Sequence, residues 1–415
     1  MKQPLILIMV SLLWLGGSMG FGQTTQPDTV KHPGIVDSTD KALEEELAKE
    51  LGESSDSSET VIPVMPVPVT GTTVRRSTVL NPQISVVGTF FASGTETGVV
   101  VKNKNVGLAE AEIALRAYVD PYSRADFFVA FGHESEDPFE GPDSAIAGSG
   151  EFTTELEEGY VTTLALPFGL QLRGGKFRTT FGKINPIHPH ALNYLDIPRM
   201  YVNFLGGDGL SDAGLSLSWL VPNPFGFFQE LTLEALSGAV EAPSFSGEGF
   251  DLLYLGHLKN FFDLTENSTL EIGLSGITGK NDGEGHRTTI GGADVTYKWK
   301  PLRRNRYRSF EWTTEALISH RNSLHGTINS KALYSFLRYQ IAKRWFVGIR
   351  YDYSEFPESS QMNEKAYSAI LSFFATEFQK LEVEYQYGQP AERSSFNRVL
   401  LRAIFVIGAH GAHQY

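Results

Sequence analysis

From Asn81 onward the chain alternates apolar and polar residues with a period of two, and this rhythm limits its possible folds more than any other feature. Between Trp345 and Tyr353 the odd positions read Trp, Val, Ile, Tyr, Tyr, while the even positions from Arg344 to Ser354 read Arg, Phe, Gly, Arg, Asp, Ser. Leu381, Val383, Tyr385 and Tyr387 alternate with Lys380, Glu382, Glu384 and Gln386. Phe310, Trp312, Ala316 and Ile318 alternate with Ser309, Glu311, Thr313 and Glu315, and Leu270, Ile272 and Leu274 with Glu271 and Ser275. Such segments form strands with one greasy and one wet face.

Two folds satisfy that pattern: a soluble sandwich, with the greasy faces turned together, or a barrel with hydrocarbon outside and water inside. Three observations favour the barrel. Short turns near Asp120–Ser123, Leu166–Gly169, Pro222–Phe228, Leu264–Ser268, Pro301–Arg306, Ala342–Lys343 and Thr376–Gln379 take turns with longer polar stretches. Those stretches are His133–Phe152, Arg178–Gly209, Ala239–Gly249, Gly279–His286, Phe356–Asn363 and Gly388–Ser395. Trp219, Trp299, Trp312 and Trp345, with Phe225, Phe227, Phe228 and Phe378, all lie near short turns, as one interfacial girdle requires. A β-protein in lipid must also close, because no water there satisfies an open edge. The breaks delimit about sixteen strands, enough to surround an aqueous channel. The expected fold is all-β: a single antiparallel transmembrane barrel preceded by a short helix and linker. An even strand number places both termini on one side, the periplasmic one.

The segment before the barrel is different. Residues 1–22 read as a secretory signal, with Lys2 at its start, an apolar run from Leu5 to Leu15, and Gly20-Phe21-Gly22 before Gln23 as the cleavage site. Residues 23–80 form a polar segment predicted to lie in the periplasm. Within it, 40–53 is a short helix with Leu43, Leu47 and Leu51 on one stripe, and VIPVMPVPV is a stiff spacer. Ten acids against three lysines between 23 and 60 carry about half of the net charge of −13, so the barrel itself is only mildly acidic and nucleic acid is not a partner. There is no cysteine, which removes disulfides and thiolate sites. No cofactor is implied.

The third outer loop, 178–209, carries Ile184, Ile187, Leu192, Tyr194, Leu195, Ile197, Met200, Tyr201 and Phe204, which need burial. Folding into the lumen hides them, so the loop is expected to constrict a pore. Lys183, Asn185, His188, His190, Asp196 and Arg199 are the candidate constriction residues. In an extended segment the imidazoles of His188 and His190 face one side, with Asn193 or Asp196 as the available third ligand. The pair alone does not define a metal site. His410 and His413 precede Tyr415, whose aromatic ring fits the ending preferred by barrel-assembly machinery. Parity assigns Glu110, Glu112, Arg116, Arg124, Asp126, Glu155, Glu157, Arg173, Arg344, Arg350, Glu382, Glu384, Arg398 and Arg402 to the lumen. Charges of both signs there imply weak selectivity.

No nucleophile elbow, zinc-protease helix or phosphate loop is present, so an enzyme is not expected. The pattern points to passive diffusion of small hydrophilic solutes or ions across an outer membrane. A closed binding or structural barrel and a metal-uptake channel are the alternatives, and sixteen strands are compatible with a homotrimer.

The stretches EAEIALRAYVDPYSRADFFVAFG (110–132), EEGYVTTLALPFGLQLRGGKFRTTFGKINPIHPH (157–190) and GAHGAHQY (408–415) resemble a group of porin-like outer-membrane proteins, most of them uncharacterised. Some members carry the label of zinc-regulated, TonB-dependent receptors. The strand–turn–strand leading into Phe181-Gly182-Lys183 is also similar to phosphate-selective porins of the O and P type. The resemblance implies a pore-forming barrel. It implies neither the 22 strands and plug of a TonB-dependent receptor, for which the chain is too short, nor phosphate specificity, for which no arginine ladder is evident.

Overall fold

The computed structural model describes residues 82–97, 100–132, 153–239, 242–246 and 251–408. The signal segment, the helix at 40–53, the spacer, His410, His413 and Tyr415 lie outside the described residues. The strands begin with β1 (Gln83–Thr97), β2 (Val100–Asp120), β3 (Ser123–Gly132), β4 (Thr153–Thr163), β5 (Leu170–Arg178) and β6 (Ser211–Leu220). They continue with β7 (Phe228–Leu236), β8 (Leu253–Thr265), β9 (Ser268–Lys280), β10 (Arg287–Trp299) and β11 (Phe310–Ser323). The last are β12 (Gly326–Ala342), β13 (Trp345–Phe356), β14 (Ser359–Thr376), β15 (Gln379–Gln389) and β16 (Phe396–Gly408). Each strand pairs antiparallel with its neighbours in sequence, and β1 pairs with β16 from Ser85↔Gly408 to Thr97↔Phe396. The result is a closed barrel of sixteen strands, as the alternation predicts.

Closure is reinforced at the seam. Gly88 of β1 lies opposite Phe405 of β16, and a Cβ on Gly88 would sit 2.2 Å from the Phe405 ring. Only glycine lets that ring lie over the strand junction, where it also meets Phe90 at a 5.8 Å centroid distance.

The faces divide by parity. In β13, Gly348, Arg350, Asp352 and Ser354 are buried inward, while Trp345, Val347 and Ile349 are exposed. Leu215, Leu233, Tyr254, Leu274, Ile318, Ile349, Tyr367, Leu381 and Leu401 all face outward and exposed, Ile318 at 69%. In water such a belt would be a large aggregation-prone surface; against acyl chains it is the required one. Trp219, Trp312 and Trp345 sit exposed at the short-turn end, where Trp345 packs on Phe373 at 4.6 Å.

The opposite end differs from expectation in one place. The stretch 356–363 is not a loop: β13 runs to Phe356 and β14 begins at Ser359, leaving only Pro357 and Glu358 between them. Ser359 and Asn363 pair with Phe356 and Glu355 of β13 across an irregularity at 360–362, and composition alone does not reveal that partner.

Wall depth sets a prediction. Leu274→Arg, at mid-strand, is expected to destabilise the barrel by ~2–4 kcal/mol, and Leu264→Arg, beside a short turn, by only ~0–1 kcal/mol. Folding titrations in lipid vesicles measure both, and equal costs would contradict a lipid-facing wall.

Candidate functional site

The connection between β5 and β6 enters the barrel. Asn185 closes its base: the side-chain amide donates to Thr179 O (2.8 Å) and Leu210 O (2.9 Å), and Oδ1 accepts from Leu210 N–H (2.8 Å). Arg178 joins it, donating through Nε to Asn185 O at 2.9 Å and through Nη2 to Asp208 O. Two strand ends are thus held together while the chain between them turns inward.

The turn inward is made at Gly182, whose φ of +64° is left-handed. A Cβ there would lie 2.2 Å from Glu315 Oε2 and 2.3 Å from the Tyr201 hydroxyl. Glu315, on β11, cannot easily yield, since it accepts from Tyr201 OH (2.6 Å), Lys183 N–H (2.8 Å) and Tyr334 OH (2.6 Å). Lys183 then reaches Glu271 of β9 with Nζ at 2.7 Å.

The apolar residues of the loop pack on inward residues of the wall. Phe181, Ile184, Leu192, Tyr194, Met200, Tyr201 and Phe204 form one buried cluster with Leu255, Ile277, Ile290, Leu317, Tyr334, Phe336 and Ile370. The helix α1 (Arg199–Leu205) rests on β12, β13 and β14. Its first residue, Arg199, pairs with Glu364 of β14 at 2.8 Å, and its backbone N–H donates to Asp352 Oδ1 at 3.3 Å.

Asp196 is the loop's electrostatic centre. Its Oδ1 meets Arg350 of β13, and Oδ2 accepts from Arg398 of β16 at 2.6 Å and Gln386 of β15 at 2.7 Å. Burial works against its charge, yet Arg350 and Arg398 outweigh that and hold its carboxyl well below the usual carboxylate range. Asp352 and Glu384 face the same arginine from the wall. Beside it, Arg402 of β16 donates to the carbonyls of Pro189 (3.1 Å), Leu192 (3.0 Å) and Tyr194 (3.0 Å) while paired with Glu382.

Past the closure seam, His188 and His190 meet β2 and β4. His188 Nε2 lies 2.6 Å from Glu158 Oε1, and its Nδ1 is 2.9 Å from both Glu157 Oε2 and Glu112 Oε2. Burial disfavours the charged ring, but the surrounding carboxylates Glu112, Glu157 and Glu158 raise its pKa well above the ordinary histidine range. Glu157 and Glu158 both face inward because β4 carries a bulge: Phe128 pairs with Glu158 and Val129 with Leu156, leaving Glu157 as the extra residue.

Among the other parity assignments, Arg116 and Arg124 both pair with the buried Asp126, and Arg173 lies over the rings of Tyr160 (5.1 Å) and Phe177 (5.2 Å). Two depart from the lumen wall. Glu155, close to the end of β4, has a side chain 63% exposed and pairs with Lys176 at 3.0 Å. Arg344 sits exposed in the turn after β12. It lines the mouth of a cavity of about 450 Å³ shared with Arg338, Phe346 and Phe374 at the short-turn end. Sequence reasoning missed Glu158, Asp352 and Glu364. Strand parity could have flagged the last two, whereas Glu158 depends on a bulge that leaves no mark in composition.

The arrangement defines the class: a closed sixteen-stranded antiparallel barrel whose long β5–β6 connection folds into its lumen. Solved structures of that architecture include OprB of Pseudomonas putida at high pH, with a TM-score of 0.56 and 11% identity over 79% of this chain and 94% of that one. Others are the trimer form of OmpT from Vibrio cholerae (TM-score 0.51, 11% identity, 79% and 99%) and Salmonella typhi OmpF in complex with daunomycin (0.52, 11%, 78% and 97%). At these identities the likeness is one of fold. No family model matches the chain. An uncharacterised protein of Aquifex aeolicus (strain VF5) is 30% identical over 366 residues, covering 78% of this chain and 72% of the relative, and the chain belongs to that protein's family.

Two outcomes test the loop's attachment. Gly182→Ala, strained by about 1–3 kcal/mol, is expected to open the loop to proteolysis between residues 183 and 208 while leaving the barrel folded by electrophoretic mobility. Because the Asp196 pKa is lowered, its contribution is present above the ordinary carboxylate pKa and disappears only as pH falls through the depressed value. The loop should therefore stay protected from pepsin at about pH 4, near the ordinary Asp pKa, whereas Asp196→Asn loses protection there. Opening of the unmodified loop at that pH would contradict the Asp196 tie.

Proposed function

We propose that the protein is an outer-membrane channel in which the inward loop, 178–209, forms the constriction for passive diffusion of small hydrophilic solutes or ions. The observation that carries this reading is the anchorage of the loop by charged wall residues across the barrel, from Glu271 of β9 through Glu315 of β11 and Arg350 of β13 to Arg398 and Arg402 of β16. A loop held inside the lumen narrows it, and Lys183, Asn185, His188, His190, Asp196 and Arg199 line or brace the narrowing. The outward apolar belt supports insertion in a bilayer, and the fold shared with OprB, OmpT and OmpF supports the outer membrane as its place. Both termini are then periplasmic, assembly depends on barrel-assembly machinery, and a trimer like the one formed by OmpT is the assembly to test.

One observation favours a second reading, a closed binding or structural barrel: the apolar cluster around Phe181, Tyr194 and Phe204 fills part of the lumen. Planar bilayers separate the two. A channel gives stepwise conductance that rises by roughly twofold or more when Asp196→Ala loosens the constriction. Silence of both proteins at every voltage supports the closed barrel and removes the channel.

A further inference from the structure

Where the inward loop touches β2 and β4, two imidazoles meet four carboxylates: His188 and His190 against Glu110, Glu112, Glu157 and Glu158. Even with both rings protonated, two negative charges remain in excess. The nearby guanidinium of Arg178 is engaged with the carbonyls of Asn185 and Asp208. Burying carboxylates this close together is costly unless protons or a cation accompany them. Glu112 shows the imbalance most clearly. It is 1% exposed, and its Oε1 has no hydrogen-bond partner. Its Oε2 faces two ring nitrogens, His188 Nδ1 at 2.9 Å and His190 Nδ1 at 3.5 Å.

We propose that Glu112, His188 and His190 form a binding site for a divalent transition-metal ion of the zinc type. Their ligand atoms lie within 4.8 Å of one another, so small movements bring all three onto one ion. Glu110 and Glu157 border the remaining positions. Two imidazoles and a carboxylate suit Zn²⁺, Co²⁺ or Ni²⁺, whereas calcium and magnesium prefer oxygen alone. The ring of His188 is already oriented for coordination, since Glu158 accepts from Nε2 at 2.6 Å and so turns Nδ1 toward Glu112 as the ligating atom. The extended backbone of His188 and the short turn from Pro189 to Ala191 place the two rings 5.7 Å apart on one side. An ion here links the loop to two wall strands that its arginine anchors do not reach, β2 and β4.

The test uses the full-length protein, without an affinity tag, in detergent micelles, with Co²⁺ and then Zn²⁺ as probes. The expected result is one equivalent of Co²⁺ per barrel with visible d–d absorption, displaced by Zn²⁺. Zn²⁺ should raise the unfolding temperature, and a chelator should reverse the rise. Glu112→Gln and His190→Gln are each expected to weaken binding by about 100-fold or more, while His320→Gln, on the exposed face, leaves it unchanged. Assembly of each variant is checked by heat-modifiable electrophoretic migration. If a variant does not assemble, X-ray absorption of the zinc-loaded unmodified protein decides by counting imidazole ligands: two support the site, and fewer overturn it. Absence of stoichiometric binding, or binding of equal strength in Glu112→Gln and His190→Gln, also overturns it. The site does not rest on conduction. A barrel that binds the ion but stays silent in bilayers keeps the site and loses the channel.

Discussion

The structure depends first on pairing every backbone N–H and C=O of the wall without help from solvent. Sixteen antiparallel strands meet that constraint by joining β16 to β1, so the sheet has no edge. Once the sheet is closed, parity has only two destinations. One set of side chains meets lipid and the other meets the lumen, and a bulge is the one local means of moving a residue between them. The charged residues of β13, β15 and β16 therefore point inward and lie buried beneath the loop, where a partner is needed for each.

The inward loop supplies many of those partners. Asp196 stands between Arg350 and Arg398, while the loop's carbonyls receive Arg402 and its Lys183 meets Glu271. These interactions are as much a condition of burying the wall's charges as of holding the loop. Removing one member leaves its partner charged and unsatisfied in the interior, which is why the network behaves as a unit. The apolar cluster around Phe181 and Tyr201 lies beside it, covered by α1 and the inward residues of β8 to β14. The loop thus meets β8 to β14 with apolar and ionic contacts side by side, and β15, β16, β2 and β4 with polar ones.

Much of the barrel was legible because a period of two is a direct image of a two-faced sheet, and the turn positions between Asp120 and Phe378 follow from Gly, Pro and Asn placement. The burial of the loop was also legible, since Ile184, Tyr194 and Phe204 have no acceptable place over water. What remained hidden is long-range. That Asp196 meets Arg398, 202 residues away, depends on barrel circumference and on how far the loop descends. That Glu157 and Glu158 face His188 together depends on a single extra residue in β4, which strict parity does not foresee. The strand character of Ser359 to Asn363 was lost for a related reason: a polar strand is recognisable only beside its partner.

The bracing of the loop against both arcs of wall has a mechanical consequence. A hollow cylinder flattens readily under sideways pressure, because bending its hoop needs little shear between neighbouring staves. A strut spanning the bore, seated on β2 and β4 at one side and on β9 and β11 across from them, resists that ovalisation. The seating of the loop and the roundness of the barrel are therefore coupled.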